Sequence, residues 1–141
     1  MVRKFSNIIF RILQTLDKIF YFLTKRQFIL WFSDFISESS YCDVLIKNKK
    51  ISFFYPNTLT KWRVDTLFTK EPETLEWIES FSKNKKNIFW DIGANIGLYS
   101  IYSSIANANL KIVSFEPSPN NLRILTRNIS INNLEDRIII Y

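Results

Sequence analysis

The chain reads as an α/β protein: the first half (β-α-β-α-β) of a doubly wound parallel sheet, preceded by an α-helical segment and a β-hairpin. Three observations predict this. Two short apolar runs, residues 88–92 and 111–115, are each followed by apolar residues at helical spacing, and a third run opens at Arg137. Successive strand-helix-strand units imply right-handed parallel crossovers. The length of 141 residues, 47% of them hydrophobic and 23% charged, suits about one domain with a core of its own.

Residues 1–40 form the N-terminal segment. Phe5, Ile8, Ile9, Ile12, Leu16, Ile19 and Leu23 recur at helical spacing, with Arg11, Lys18 and Lys25 toward the other side. Five charges between Arg11 and Arg26 argue against a spanning helix, and Arg11 interrupts any signal-like apolar stretch. Two readings of residues 5–36 remain. One packs the helix on the rest of the protein and is favoured; the other lays it as a peripheral contact on an anionic membrane surface.

Residues 41–86 form a lead-in of hairpin and helix. Cys42 to Lys47 and Ile51 to Tyr55 read as strands joined by Asn48-Lys49-Lys50, and Pro56-Asn57 closes the pair. A helix opens at Glu71-Pro72-Glu73-Thr74, with proline pre-set for the first turn, acids favoured by the helix dipole, and Leu75, Ile78 and Phe81 as its apolar stripe. The lysine-rich stretches Lys47-Asn48-Lys49-Lys50 and Lys83-Asn84-Lys85-Lys86 read as solvated turns, because no regular aromatic stacking partners interleave them.

Residues 87–141 carry the chemistry. Ile88 to Ile92 is a nearly all-apolar strand, expected to be covered on both faces. Gly93-Ala94-Asn95-Ile96-Gly97 follows, and Leu98, Ile101, Tyr102 and Ile105 set a helix. Lys111 to Phe115 is the second strand, ending in Glu116. Ser118 caps a second helix with Pro119 in its first turn, carried on by Leu122, Leu125 and Ile129. At such a strand-to-helix bend, glycine lets a ligand approach the backbone, and free N–H groups are expected to point into the crevice. Asp91 lies just before the bend, while Glu116 ends the next strand, where an acid can accept bonds from two ribose hydroxyls.

Composition narrows the chemistry. The absence of histidine removes the commonest metal ligand and the usual neutral-pH base, and a single cysteine, Cys42, excludes an intrachain disulfide. The net charge of +6 arises upstream of residue 88: residues 1–40 carry six basic against three acidic side chains, residues 41–87 nine against six, and residues 88–141 four against four. A dinucleotide would call for Gly-x-Gly-x-x-Gly, which is missing, and Asp91 would repel its pyrophosphate. S-adenosyl-L-methionine has no phosphate and carries a sulfonium and an ammonium that suit the acid.

The residues Phe89-Trp90-Asp91-Ile92-Gly93-Ala94-Asn95-Ile96-Gly97-Leu98-Tyr99-Ser100, then Phe115-Glu116-Pro117-Ser118-Pro119-Asn120, then Asn128 and Asn132-Asn133-Leu134, resemble the FkbM family of class I S-adenosylmethionine-dependent methyltransferases. That resemblance implies a Rossmann-like domain using S-adenosyl-L-methionine. By it, Asp91, Gly93, Asn95 and Gly97 would surround the methionine part, Glu116 would hold the ribose and Pro117 would lie beside the adenine. It implies in-line methyl transfer to an oxygen of a sugar or other small acceptor in glycan or secondary-metabolite biosynthesis, in the cytoplasm. Sheets of that class have seven strands, so the chain is expected to be an N-terminal portion, inactive alone, with no nameable catalytic residue. No metal and no nucleic-acid partner are expected. An RNA or tRNA methyltransferase, using the basic residues 1–87 along phosphates, and a non-catalytic membrane-surface or partner-binding module remain alternatives.

Overall fold

The computed structural model describes residues 1–83 and 85–141, so Asn84 of the lysine-rich loop lies outside the described residues. The chain divides into two compact units, Met1–Ser40 and Tyr41–Tyr141.

The first unit is a pair of helices, α1 (Val2–Thr24) and α2 (Ile29–Ser39). Helix α1 stops at Lys25, which takes the left-handed conformation (φ 58°) and returns its N–H to the Tyr21 carbonyl. Asp17 of α1 is buried, and its carboxylate accepts the N–H of Ile29 at 3.0 Å, holding the start of α2. Phe20 meets Phe28 edge-on at 5.5 Å, which completes this small seam. The stripe from Phe5 through Ile12 and Leu16 to Leu23 remains exposed. Among the described residues, no helix is long and apolar enough to cross a membrane.

The second unit opens with the antiparallel hairpin β1 (Tyr41–Ile46) and β2 (Lys49–Phe54). Its turn is Lys47-Asn48, shorter than the expected Asn48-Lys49-Lys50. Both turn residues have positive φ, 48° and 66°, the geometry of a two-residue turn whose twist matches the flanking strands. Helix α3 (Thr58–Asp65) follows, an element the sequence pattern does not announce. It starts in a capping box: the Asn57 side chain accepts the Thr60 N–H at 2.9 Å, and the Thr60 hydroxyl accepts the Asn57 N–H. Helix α4 (Pro72–Glu79) begins at the proline as expected and buries Leu75 and Ile78.

Next come β3 (Asn87–Ile92), α5 (Leu98–Ala106), β4 (Leu110–Phe115), α6 (Pro119–Ser130) and β5 (Ile138–Ile140). The three strands form a parallel sheet in the order β3-β4-β5, with Phe89 opposite Ile112 and Ile112 opposite Ile138. This is the expected half of a doubly wound α/β sheet. One expectation fails: β3 is not covered on both faces. Phe89 and Asp91 point inward, whereas Ile88, Trp90 and Ile92 are 61%, 62% and 76% exposed. The cause is handedness, since two right-handed crossovers stepping in the same direction place both connecting helices on one side of the sheet.

Hairpin and sheet share one core. Ile46, Phe53 and Phe54 are buried in the same cluster as Ile101, Ile112 and Leu125. Two asparagines of the α6 region join them across more than seventy residues of sequence. Buried Asn128 accepts the N–H of Phe54 at 2.7 Å and donates to the carbonyl of Ile96 at 2.9 Å. Asn132 accepts the N–H of Ser52 and donates to its carbonyl, at 2.9 and 2.8 Å. The free edge of β2 is thereby satisfied by side chains in place of a third strand.

Candidate functional site

Residues 93–97 turn the chain from β3 into α5, and every step is left-handed where it must be. Gly93, Asn95 and Gly97 have φ of 79°, 57° and 86°. Asparagine is the side chain that best tolerates this region, which explains how Asn95 stands between two glycines. The glycines do different jobs. A Cβ on Gly97 would lie 2.4 Å from Leu125 Cδ1, so its absence lets α6 pack against the bend. A Cβ on Gly93 would meet nothing within 4 Å, so that glycine opens onto free space.

Four of the five loop N–H groups are bonded within the protein and do not point freely into the crevice, contrary to expectation. Gly93 and Ala94 donate to the Phe115 carbonyl at 2.8 and 2.9 Å, and Gly97 donates to that of Ala94 at 2.8 Å. The N–H of Asn95 is taken by Glu116 Oε2 at 2.7 Å. The bend is thus fastened to the end of β4. Burying these donors unpaired would cost about 1–3 kcal/mol each, so a rigid bend with its own acceptors is the stable solution.

Glu116 is buried and works as a staple. Its second oxygen accepts the N–H of Ser118 at 2.8 Å and, at 3.4 Å, the side-chain amide of Asn121. A carboxylate offers about four acceptor positions, so Oε2 keeps one open and Oε1 has one behind the long Asn121 contact. Pro117 beside it is exposed.

Asp91 is also buried, under the bend. Its carboxylate accepts from the hydroxyl of Ser100, which in turn lies 2.7 Å from that of Ser114. Burial pushes its pKa above the ordinary carboxylate value, while the Ser100 bonds pull the other way.

A cleft of about 290 Å³ opens over the bend, and Asp91, Gly93 and Asn95 line it with α5 residue Tyr99. Gly97, Glu116 and Pro117 are not part of this lining. Gly97 sits behind the bend against α6, and Glu116 supports the bend from the β4 side. The far wall comes from the lead-in: Arg63 of α3, then Lys70 and Glu71. Sequence reasoning missed these three. Arg63 donates to the Asn95 side-chain oxygen, Lys70 pairs with Glu71 at 2.9 Å, and the Tyr99 hydroxyl donates to Glu71 at 2.9 Å. The Lys70 ammonium first and the Tyr99 hydroxyl second hold the Glu71 pKa below the usual carboxylate value. Burial, reinforced by Glu71, raises the Tyr99 phenol well above its ordinary value. Among the described residues no group of side chains is arranged to hold a metal ion.

No family model matches the chain. Over 42 residues it is 45% identical to methyltransferase sdnD of Sordaria araneosa, a stretch covering 30% of this chain and 16% of that protein. Among solved structures it is similar to the C-terminal domain of precorrin-6Y C5,15-methyltransferase from Rhodobacter capsulatus (22% identity, TM-score 0.43, 52% of this chain and 39% of that one). It is likewise similar to a Methanococcus maripaludis protein assigned as an S-adenosyl-L-methionine-dependent methyltransferase (26%, TM-score 0.47, 58% and 37%). A third is TYW2 of P. horikoshii in complex with MeSAdo (18%, TM-score 0.49, 72% and 35%). The chain spans 16% of that curated relative and between 35% and 39% of these solved chains. Three of these four proteins are methyltransferases by name. With TM-scores below 0.5, the fold assignment stands instead on the strand order and parallel register of β3-β4-β5.

Proposed function

We propose that residues 41–141 form the donor-binding half of an S-adenosyl-L-methionine-dependent methyltransferase, and that the wider protein methylates an oxygen of a sugar or other small molecule. The observation that carries this reading is the bend itself: a glycine open to free space at Gly93, over a buried carboxylate, next to a second carboxylate with an unused acceptor position at the end of the neighbouring strand. These residues fit the donor. Gly93 leaves backbone room for the methionine portion, and Asp91 supplies negative charge under a ligand bearing two cations. Oε2 of Glu116 can accept one ribose hydroxyl strongly; a second bond needs Asn121 to swing aside. Pro117, exposed next to it, offers an apolar edge to a base. A pyrophosphate fits poorly, because the N–H groups of Gly93, Ala94 and Asn95 are already taken by Phe115 and Glu116.

When bound, the donor supplies a methyl group on a positively charged sulfur. What this chain contributes is position. The bend is fastened at Phe115 and Glu116, so little reorganisation accompanies binding, and rate enhancement by orientation needs such rigidity. The paired Asp91-to-Glu116 motifs also support the finer FkbM assignment and, with it, a small-molecule or glycan acceptor and no nucleic acid. Calorimetry with S-adenosylhomocysteine tests the donor reading. Glu116→Ala should weaken binding by about tenfold or more, the value of one charge-assisted hydrogen bond. An affinity unchanged within twofold refutes the ribose assignment, and saturation by a nicotinamide dinucleotide alone refutes the donor class.

A second reading concerns residues 5–36. Phe5, Ile8, Ile12, Leu16 and Leu23 of α1 and Trp31 and Phe35 of α2 are exposed, in a segment with a basic excess. An apolar stripe beside this basic excess supports a peripheral contact with an anionic membrane surface.

A further inference from the structure

We infer that Arg63 of α3 is the carboxylate receptor of the cleft, reading the amino-acid end of the nucleoside ligand; this rests on the donor reading above. The case begins with what surrounds the guanidinium. Arg63 is half-buried, lines the cleft with Asp91, Gly93 and Asn95, and donates to the neutral side-chain oxygen of Asn95. The neighbouring lead-in lysines are committed: Lys61 pairs with Asp65, and Lys70 with Glu71 at 2.9 Å. None of the ion pairs found among the described residues involves Arg63.

Guanidinium carries five donors in a planar fork suited to two parallel bonds with one carboxylate. A single bond to the amide of Asn95 leaves most of that capacity unused in a residue that lines the cleft. Partial burial raises the value of the missing partner, since a desolvated cation gains more from an anion than an exposed one does. Asp91, on the bend side of the cleft, complements an ammonium, and Arg63, on the lead-in side, is the cation of the lining without an ion-pair partner. A ligand tail carrying both an ammonium and a carboxylate matches this pattern; a neutral or purely cationic tail does not. Asn95 then has a second role beyond tolerating its backbone angle: it holds the guanidinium at the rim until the anion arrives.

The discriminating measurement is a pair of ligands differing only in the tail. S-adenosylhomocysteine carries the amino-acid end, and 5′-methylthioadenosine lacks it. In calorimetry on the whole chain, Arg63→Met should weaken S-adenosylhomocysteine by about 10- to 100-fold, the range for a paired charge-assisted contact, and leave 5′-methylthioadenosine within about twofold. Arg63→Lys should recover part of the loss. An equal fall for both ligands would make Arg63 only a brace for the bend and overturn the inference, as would no fall for either. Should Arg63→Met not fold, the carboxamide of S-adenosylhomocysteine on the unaltered chain decides: it must bind about tenfold more weakly than the acid. If the unaltered chain binds neither nucleoside, the donor reading fails; if it binds both equally well, that reading stands and only the carboxylate assignment falls.

Discussion

Replacing Asn128 by alanine should be among the most damaging single changes to residues 41–141. The side chain is fully buried, and its two bonds serve backbone groups of Phe54 and Ile96, residues that are themselves fully buried. Removal orphans one N–H and one carbonyl where water does not reach. At about 1–3 kcal/mol for each unsatisfied group, the loss is about 2–6 kcal/mol, and a water admitted into the void would bring it to the lower end. Against the ~5–15 kcal/mol stability of a small domain, that is a large fraction. Urea unfolding followed by tryptophan fluorescence would read it as a lower midpoint with an unchanged slope. Asn132→Ala is the internal control: its bonds to Ser52 are only partly buried, so solvent replaces them at a cost of about 0.5–1.5 kcal/mol. A loss below 1 kcal/mol for Asn128→Ala, or one no larger than for Asn132→Ala, would refute the claim that this asparagine joins hairpin to sheet.

The two glycines should separate stability from binding. Gly97→Ala combines a left-handed backbone with a Cβ 2.4 Å from Leu125, so thermal unfolding should show a loss of about 2 kcal/mol or more; Gly93→Ala has only the backbone term, about 1–2 kcal/mol, and should lower S-adenosylhomocysteine affinity beyond that effect. The pH dependence of Asp91 has a definite sign. Burial raises its folded-state pKa, so the native state holds its proton to higher pH than the unfolded chain, and the penalty appears as pH rises past the unfolded value. Asp91→Asn, which keeps an acceptor for Ser100, should therefore be at least as stable as the unaltered chain at pH 7, with the difference shrinking below about pH 4; a clear loss at pH 7 in denaturant titration would contradict this. For residues 1–40, flotation with vesicles containing anionic lipid should recover the chain, neutral vesicles should recover less, and Ile12→Glu with Leu16→Glu should abolish recovery. Recovery unaffected by those changes would exclude α1 as the contact.

The strands, the glycine bend and α6 were legible because each is written locally. Apolar runs of strand length, glycine at a turn and Ser118-Pro119 at a helix start need no tertiary context. What escaped were features decided at a distance. Helix α3 lacks an apolar stripe: Leu59 and Trp62 are exposed while Thr60 and Val64 are buried. Its one local signal was the Asn57-Thr58-Leu59-Thr60 capping box, and with the helix Arg63 was missed as well. The uncovered face of β3 was illegible for another reason: outward Ile88, Trp90 and Ile92 are all apolar while inward Asp91 is charged, so the pattern carries no polar-out alternation to mark the exposed face. Asn128 and Asn132 belonged to the recognised pattern, but their work, pairing with a strand more than seventy residues away, depends on tertiary contact.

The lead-in is therefore part of the site and of its support. Residues 41–86 bury Ile46, Phe53 and Phe54 in the core beneath α5 and α6, and the same stretch raises Arg63 over Asn95. Through Asn128, the β2 edge at Phe54 and the bend at Ile96 share one side chain, so a displacement of the hairpin is felt at the bend. Residues 87–141 without the hairpin would keep the glycine bend in sequence, yet would leave the Asn128 carboxamide and the apolar face of α6 without their partners. The bend and its support are thus packed against residues that lie upstream of the motif.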